Sequence, residues 1–317
     1  MKRILFFLLV LGLILDLFWG QVWKNLMDNN ISALGDIFLY FRLPRLLNAV
    51  ISGAGLALTG LVLQTVFQNP LAGPYVLGIS SGAAFGVALA LLFFSVVSVN
   101  LSFAAMYVFA IAGSMVVMAV LSLLARRFSM VTVIISGVIL AGFFAALINI
   151  LQYFSPAYAV KDFVLWTMAS VDMADYRIIV LNALVVIMFV LWLSRQGNLL
   201  DSLYLGDDYA RSIGVDAALF KRKILLFSGL VIAVLTSAYG PIAFAGVISP
   251  HVARWLTHSY SHKTLMIHTL LTGIVIMLFA DFLSHAFSFS LPLNSVLSLF
   301  GLPVMLLLVL RNPRMVA

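Results

Sequence analysis

The chain contains no cysteine and no glutamate, and its 11 acidic residues are all aspartate. Without cysteine there is no disulfide, no thiolate metal ligand and no cysteine nucleophile. Charge of either sign is scarce. Charged residues make up 9% of the chain, against about 25% in soluble domains. There is no Gly-x-x-x-x-Gly-Lys-[Ser/Thr] loop, so nucleotide phosphates are not cradled by that motif and any ATP hydrolysis must reside on another subunit. No linker, low-complexity tract or second soluble domain interrupts the sequence. No Ser/His/Asp triad can be assembled, because acids are rare inside the apolar runs.

What is present is apolar. Of the 317 residues, 64% are hydrophobic, against about 45–50% in soluble domains, which excludes an ordinary soluble protein. At roughly 20 residues per span there is material for about ten membrane-crossing helices. The candidate spans are 4–20, 46–67, 74–96, 101–124, 131–153, 177–194, 223–239, 244–257, 264–284 and 296–310. Span 244–257 is short and follows Gly240-Pro241, which predicts a broken or half-length helix. Lys2 and Arg3 before the first run resemble a signal peptide. No small-x-small cleavage site follows, so a retained span is expected, with Asp16 near its far end.

The net charge of +7 raises nucleic acid as a partner. The basic residues, however, are thinly scattered between apolar runs. With both termini cytoplasmic, Lys24, Arg42, Arg45, Lys161 and Arg177 fall in outer segments, and the other basic residues fall inside. That bias follows the positive-inside rule and argues for orientation in a membrane, with no nucleic-acid partner. A single integral membrane domain, 1–317, is expected.

Gly78, Gly82 and Gly86 form a ladder on one helix face, and Gly53, Gly55, Gly60, Gly137 and Gly142 mark other spans. Dense helix packing through small residues is the leading reading; a smooth pathway wall is the alternative. Asp281 and His285 are spaced i, i+4 and can pair, either structurally or as a proton relay. His251 and Arg254 read as structural, with Arg254 snorkelling to the interface. His258 and His262 have metal-compatible spacing without a third ligand nearby, so no metal site is expected.

Four stretches are not generic membrane filler: Arg42-Leu-Pro-Arg45; Gln64-Thr-Val-Phe-Gln-Asn69-Pro-Leu-Ala72, running on to Ser81-Gly82; Leu205-Gly-Asp-Asp-Tyr-Ala-Arg-Ser-Ile-Gly-Val215; and Gly240-Pro-Ile-Ala-Phe-Ala-Gly246-Val-Ile-Ser-Pro250-His251-Val-Ala-Arg254. In this order they resemble the FecCD family of ABC-importer permeases, which take up siderophores, haem and vitamin B12. The resemblance implies an all-α integral membrane protein of about ten transmembrane helices with the BtuC-like type II importer permease fold, in the bacterial cytoplasmic (inner) membrane. It also implies a homodimer lining the pathway, two cytoplasmic ATPase subunits that use ATP, and an extracytoplasmic substrate-binding protein. This chain would itself hold no cofactor and carry out no catalysis. An ion-coupled secondary transporter is the alternative, although only Asp16 and Asp281 lie within spans.

The same resemblance assigns roles by position. Arg42 and Arg45 match arginines that dock acidic residues on the binding protein. His285 stands where a third docking arginine is usual. Leu205, Gly206, Asp207, Ala210, Arg211, Ile213 and Gly214, within a cytoplasmic segment of about 200–216, match the segment that sits on the ATPase. Two short helices around a turn would suit that segment, since a structureless loop of this length is uncommon. Asn69 and Leu71, with Met130 and Val131 as companions, match residues narrowing the inner mouth of the pathway. The sequence departs from the family at Ser290-Leu-Pro-Leu-Asn294, where Glu-Leu-Pro-x-Gly is usual, and at Ala169, where Gly is usual.

Overall fold

A computed structural model describes residues 5, 7–13, 35–97, 103–173, 175–286 and 290–311. Residues 5 and 7–13 are helical; the rest of the expected first span, including Asp16, lies outside the described residues. Among the described residues every regular element is helical. In chain order these are α1 (Gly35–Val66), α2 (Ile79–Val96), α3 (Phe103–Leu124), α4 (Met130–Phe154), α5 (Ala157–Thr167), α6 (Tyr176–Ser194), α7 (Gly197–Tyr204), α8 (Asp207–Ser212), α9 (Ala217–Tyr239), α10 (Ala245–Thr257), α11 (His262–His285) and α12 (Leu293–Arg311). By length and composition α1, α2, α3, α4, α6 and α11 are suited to cross a membrane. α10 is short, as its sequence predicts.

Two expectations are corrected. The Arg42-Leu-Pro-Arg45 stretch, read as lying just before a span, is part of the continuous helix α1. Pro44 has no N–H to give the preceding turn, and its ring crowds that turn. The helix absorbs this in a π-helical turn, Phe38–Arg42, where the Leu43 N–H reaches back to the Phe38 carbonyl. The second correction is α5, which lies in a segment read as an outer loop. Lys161 and Asp162 interrupt its hydropathy, yet Ala159 and Phe163, one helical turn apart, are buried against Ala83, Val87, Leu92 and Ala110.

The chain packs as two units, each discontinuous in sequence. The first comprises 1–61, 170–197 and 243–317; the second comprises 62–169 and 198–242. In the first unit α10 packs on α11, and α12 packs on both. Two close crossings bind α1 into it, where Gly53 meets the Gly273 backbone and Gly60 meets the Gly246 carbonyl. Pro250 cannot donate to the Gly246 carbonyl one turn before it. That oxygen instead faces the bare Cα of Gly60.

In the second unit α2 is central, packed against α3, α4 and α9. Gly82 lies against Gly113, and Gly86 lies against the backbone at Phe109 and Ala110. Gly78 caps α2 in the left-handed conformation (φ 71°) and abuts the Gly137 carbonyl. A β-carbon would be strained there and would also overlap the neighbour. The ladder glycines therefore pack against neighbouring helices. An apolar cluster that includes Leu63, Leu77, Ile79, Val117, Val133 and Ile232 fills the interior of this unit.

These contacts make a contrasting pair of substitutions informative. Gly60→Leu forces a side chain into the Gly246 carbonyl and should destabilise the detergent-solubilised protein by about 1–3 kcal/mol, the usual range for overpacking. Gly142 has open space around its Cα, so Gly142→Leu should leave the thermal midpoint unchanged. Equal shifts in the two variants would refute the packing assignment.

Candidate functional site

Charged side chains are so few that their pairings stand out. In the first unit Arg45 on α1, Asp281 and His285 on α11, and Asp172 in the α5–α6 connection converge. The Arg45 Nε donates to Asp281 Oδ2 at 2.5 Å and lies 3.8 Å from Asp172 Oδ1. His285 sits between the two acids, with Nε2 3.4 Å from Asp172 Oδ1 and Nδ1 3.4 Å from Asp281 Oδ1. Ser170 donates to Asp172 Oδ2 at 2.7 Å. Asn48, one turn beyond Arg45, donates to the Val171 and Met173 carbonyls at 2.9 and 2.7 Å. The 170–173 segment is thus fastened to α1 through backbone and to α11 through charge.

The burial is uneven. Asp281 is fully buried, Arg45 is 9% exposed, and half of the Asp172 side chain is open to solvent. Desolvation pushes the Asp172 carboxyl up. The hydrogen bond and charge of His285, with Ser170 and Arg45, outweigh that and hold it below the ordinary carboxylate range. Water screens this set of contacts, so its energetic weight is modest.

Asp172, Asp281 and His285 are metal-ligand types whose ligand atoms lie within 4.8 Å of one another. The arrangement suits an ion-pair network better than a metal. The Arg45 guanidinium already occupies Asp281, and the two imidazole nitrogens face different carboxylates. The i, i+4 pairing of Asp281 with His285 is present, but Asp172, Ser170 and Asn48 carry no periodic sequence signal that would have found them. Arg45 is turned into this network, whereas Arg42, on the π-helical turn, is partly exposed. His258 and His262 join no group of three potential ligands among the described residues.

The second unit holds the other predicted residues. α7 and α8 form a short hairpin about Gly206 (φ 114°), with Gly214 (φ 82°) ending it; both backbone angles favour glycine. Leu205, Tyr209 and Ile213 are exposed, at 64%, 47% and 55%. Arg211 is exposed near Asp208. Ala210 is fully buried, so it anchors α8 inward and contributes nothing to the outer face. Asp207, at the start of α8, takes both contacts from the Lys221 Nζ of α9, at 2.6 and 2.7 Å. Asp216 caps α9 by accepting the Leu219 N–H at 2.9 Å.

The turn after α1 belongs to the same unit. Gln68 adopts a positive φ of 48°, and its Nε2 donates to the Leu203 carbonyl of α7 at 3.4 Å. The Asn69 Oδ1 accepts the Leu71 N–H at 2.9 Å, closing the turn. Phe67 and Met130 pack on one apolar cluster, which brings this turn and the start of α4 to the same core. Val131 is exposed.

Comparison with known proteins agrees with this architecture. The profile of the FecCD transport family matches residues 3–311. A protein named as the permease of an iron chelatin transport system in Helicobacter pylori is 32% identical over 302 residues, covering 93% of this chain and 90% of that protein. The vitamin B12 import system permease BtuC of Salmonella typhi is 32% identical over 311 residues, covering 97% and 94%. A solved structure described as a candidate metal-chelate type ABC transporter in an inward-facing conformation superposes with a TM-score of 0.87 at 29% identity, covering 98% of this chain and 100% of that one.

Two measurements probe the charge network. Asp281→Asn leaves the Arg45 guanidinium buried without its anion and should cost about 3–5 kcal/mol, with much of the loss recovered when Arg45→Met is added. A double-mutant cycle by thermal unfolding reads the coupling; additive losses would show the pair to be independent. The second concerns acid. Because the folded state lowers the Asp172 pKa, its stabilisation is complete above the unfolded value of about 3.9 and is lost as pH falls through the lowered folded value. Asp172→Asn should therefore lower the thermal midpoint at pH 7, and the difference from the unaltered chain should shrink as the pH approaches 3.

Proposed function

Since the chain belongs to the FecCD transport family and is a multi-pass protein of the bacterial inner membrane, we propose that it is the permease subunit of a binding-protein-dependent ABC importer for a metal chelate. An iron–siderophore complex is the leading cargo, with haem or cobalamin next. The single observation carrying this reading is the family match over nearly the whole chain. Two copies of the chain line the pathway. ATP is hydrolysed on two separate cytoplasmic ATPase subunits, and an extracytoplasmic binding protein delivers the chelate. The permease makes and breaks no covalent bonds; it changes which side of the membrane the pathway faces.

The geometry supports a division of labour among the sites. The α7–α8 hairpin offers Leu205, Tyr209 and Ile213 as an apolar knob with a charged margin at Asp208 and Arg211, suited to a cleft on the ATPase. Ala210, Gly206 and Gly214 shape this knob from within. The Asn69–Leu71 turn, with Met130 and Val131, forms the inner constriction. Arg42 and the His285 corner receive the binding protein, while Arg45 braces that corner from below through Asp281.

Three measurements test the proposal. Proteoliposomes containing the chain, its ATPase pair and the binding protein should take up a ferric siderophore or cobalamin only when ATP is present. Uptake that follows an ion gradient and ignores ATP would establish a secondary transporter instead. Leu205→Asp with Ile213→Asp should reduce ATPase co-purification by about tenfold or more, as for loss of a hot spot, without changing the thermal midpoint. Arg42→Glu should weaken binding-protein association at low salt and do so less at high salt. An unchanged affinity would remove Arg42 from the docking surface.

A further inference from the structure

The exposed face of the α7–α8 hairpin accounts for where a partner pushes, and the Asn69–Leu71 turn accounts for where a pathway narrows. Neither explains how displacement of one reaches the other. Two polar contacts, both inside the second unit, leave the hairpin: one reaches that turn and the other reaches α9. Lys221 is 7% exposed and places its ammonium on both carboxylate oxygens of Asp207, at 2.6 and 2.7 Å. This fixes the first residue of α8 to the second turn of α9. Gln68 donates to the Leu203 carbonyl at the end of α7, and Gln68 immediately precedes Asn69. α9 in turn is buried along most of its length. It touches α3 where Gly229 meets Met118, and α2 where Thr236 and Ser80 lie 3.3 Å apart.

The Lys221 ammonium is buried although Asp207 is partly open to solvent, so pulling the pair apart strands the lysine charge away from water and is resisted. The hairpin is therefore tethered by side chains as well as by its glycine turns. Gly206 and Gly214 give it turns, while Gln68 and Lys221 tie it down on either side of the Gly206 turn, at Leu203 and Asp207. We propose that Lys221 and Gln68 are positioning residues that carry movement of the α7–α8 hairpin to the Gln68–Leu71 turn and to α9, so that the partner's stroke reaches the inner constriction. This inference rests on the permease reading above and adds its transmission route. Neither residue touches cargo or ATPase in it; both act through what they hold.

The absence of cysteine makes the test clean, since a single engineered thiol takes a single label. A nitroxide at Leu71→Cys, in the full complex with the ATPase subunits, should change its mobility spectrum when ADP and vanadate trap the closed ATPases. Lys221→Met and Gln68→Ala should each reduce that nucleotide-dependent change by about twofold or more, with ATPase co-purification retained. The charge reversal Asp207→Lys with Lys221→Asp rebuilds the pair in the opposite sense and should restore the response, which separates transmission from a folding defect. A full response at Leu71 in both single variants would overturn the proposed link. So would failure of the reversal to restore the response while its thermal midpoint matches that of the unaltered chain. If the ATPases do not associate with the unaltered chain at all, the permease reading falls and the link falls with it. The two failures are thus told apart by the co-purification step.

Discussion

A helix in lipid gains nothing by hiding apolar side chains from water, so association must come from close packing of backbone on backbone. This constraint runs through the whole structure. In the first unit α1 crosses its neighbours at Gly53–Gly273 and Gly60–Gly246. In the second, α2 does so at Gly82–Gly113 and Gly86–Phe109. Side chains at these points would hold the helices apart and forfeit the dispersion contacts that replace the hydrophobic drive. Proline takes part in the same economy. Pro250 frees the Gly246 carbonyl at the point where Gly60 approaches, and Pro44 is tolerated because a π-helical turn takes up its missing donor.

The same constraint governs charge. An ion without a partner inside an apolar body is costly, so the few charged residues that fold inward do so in matched sets. Arg45, Asp281, His285 and Asp172 fasten the α5–α6 connection to two helices. Lys221 and Asp207 fasten the α7–α8 hairpin to α9. In both places a short segment between long helices is tied to one of them by an ion pair. These ion pairs hold the two segments on rigid supports.

Much of this was legible in the sequence. Apolar runs long enough to cross a membrane form helices in lipid, and the Gly78, Gly82, Gly86 ladder marked a packing face, whereas Gly142 faces open space. Two short helices around a turn suited the cytoplasmic segment, but only α8 lies within Leu205–Val215; α7 ends at Tyr204, before the motif, and the turn between them is at Gly206. Other features were not legible. α5 is broken by Lys161 and Asp162 and has only two deeply buried side chains, so its periodicity falls below notice. The inward turn of Arg45 depends on Asp172 and Asp281, which lie far from it in the chain. An arginine beside a proline reads as surface until the acids that hold it are placed.

The sequence by itself determined that the chain is helical, lies in a membrane and belongs to a transport family, because composition and contiguous motifs carry that information. The tertiary structure decided which of its few charges stay exposed and which brace the fold. Ala210 and Arg45 stand in motifs that suggested contact with other proteins, yet both are buried. Burial and pairing depend on residues brought together from distant parts of the chain, and no local pattern records that meeting.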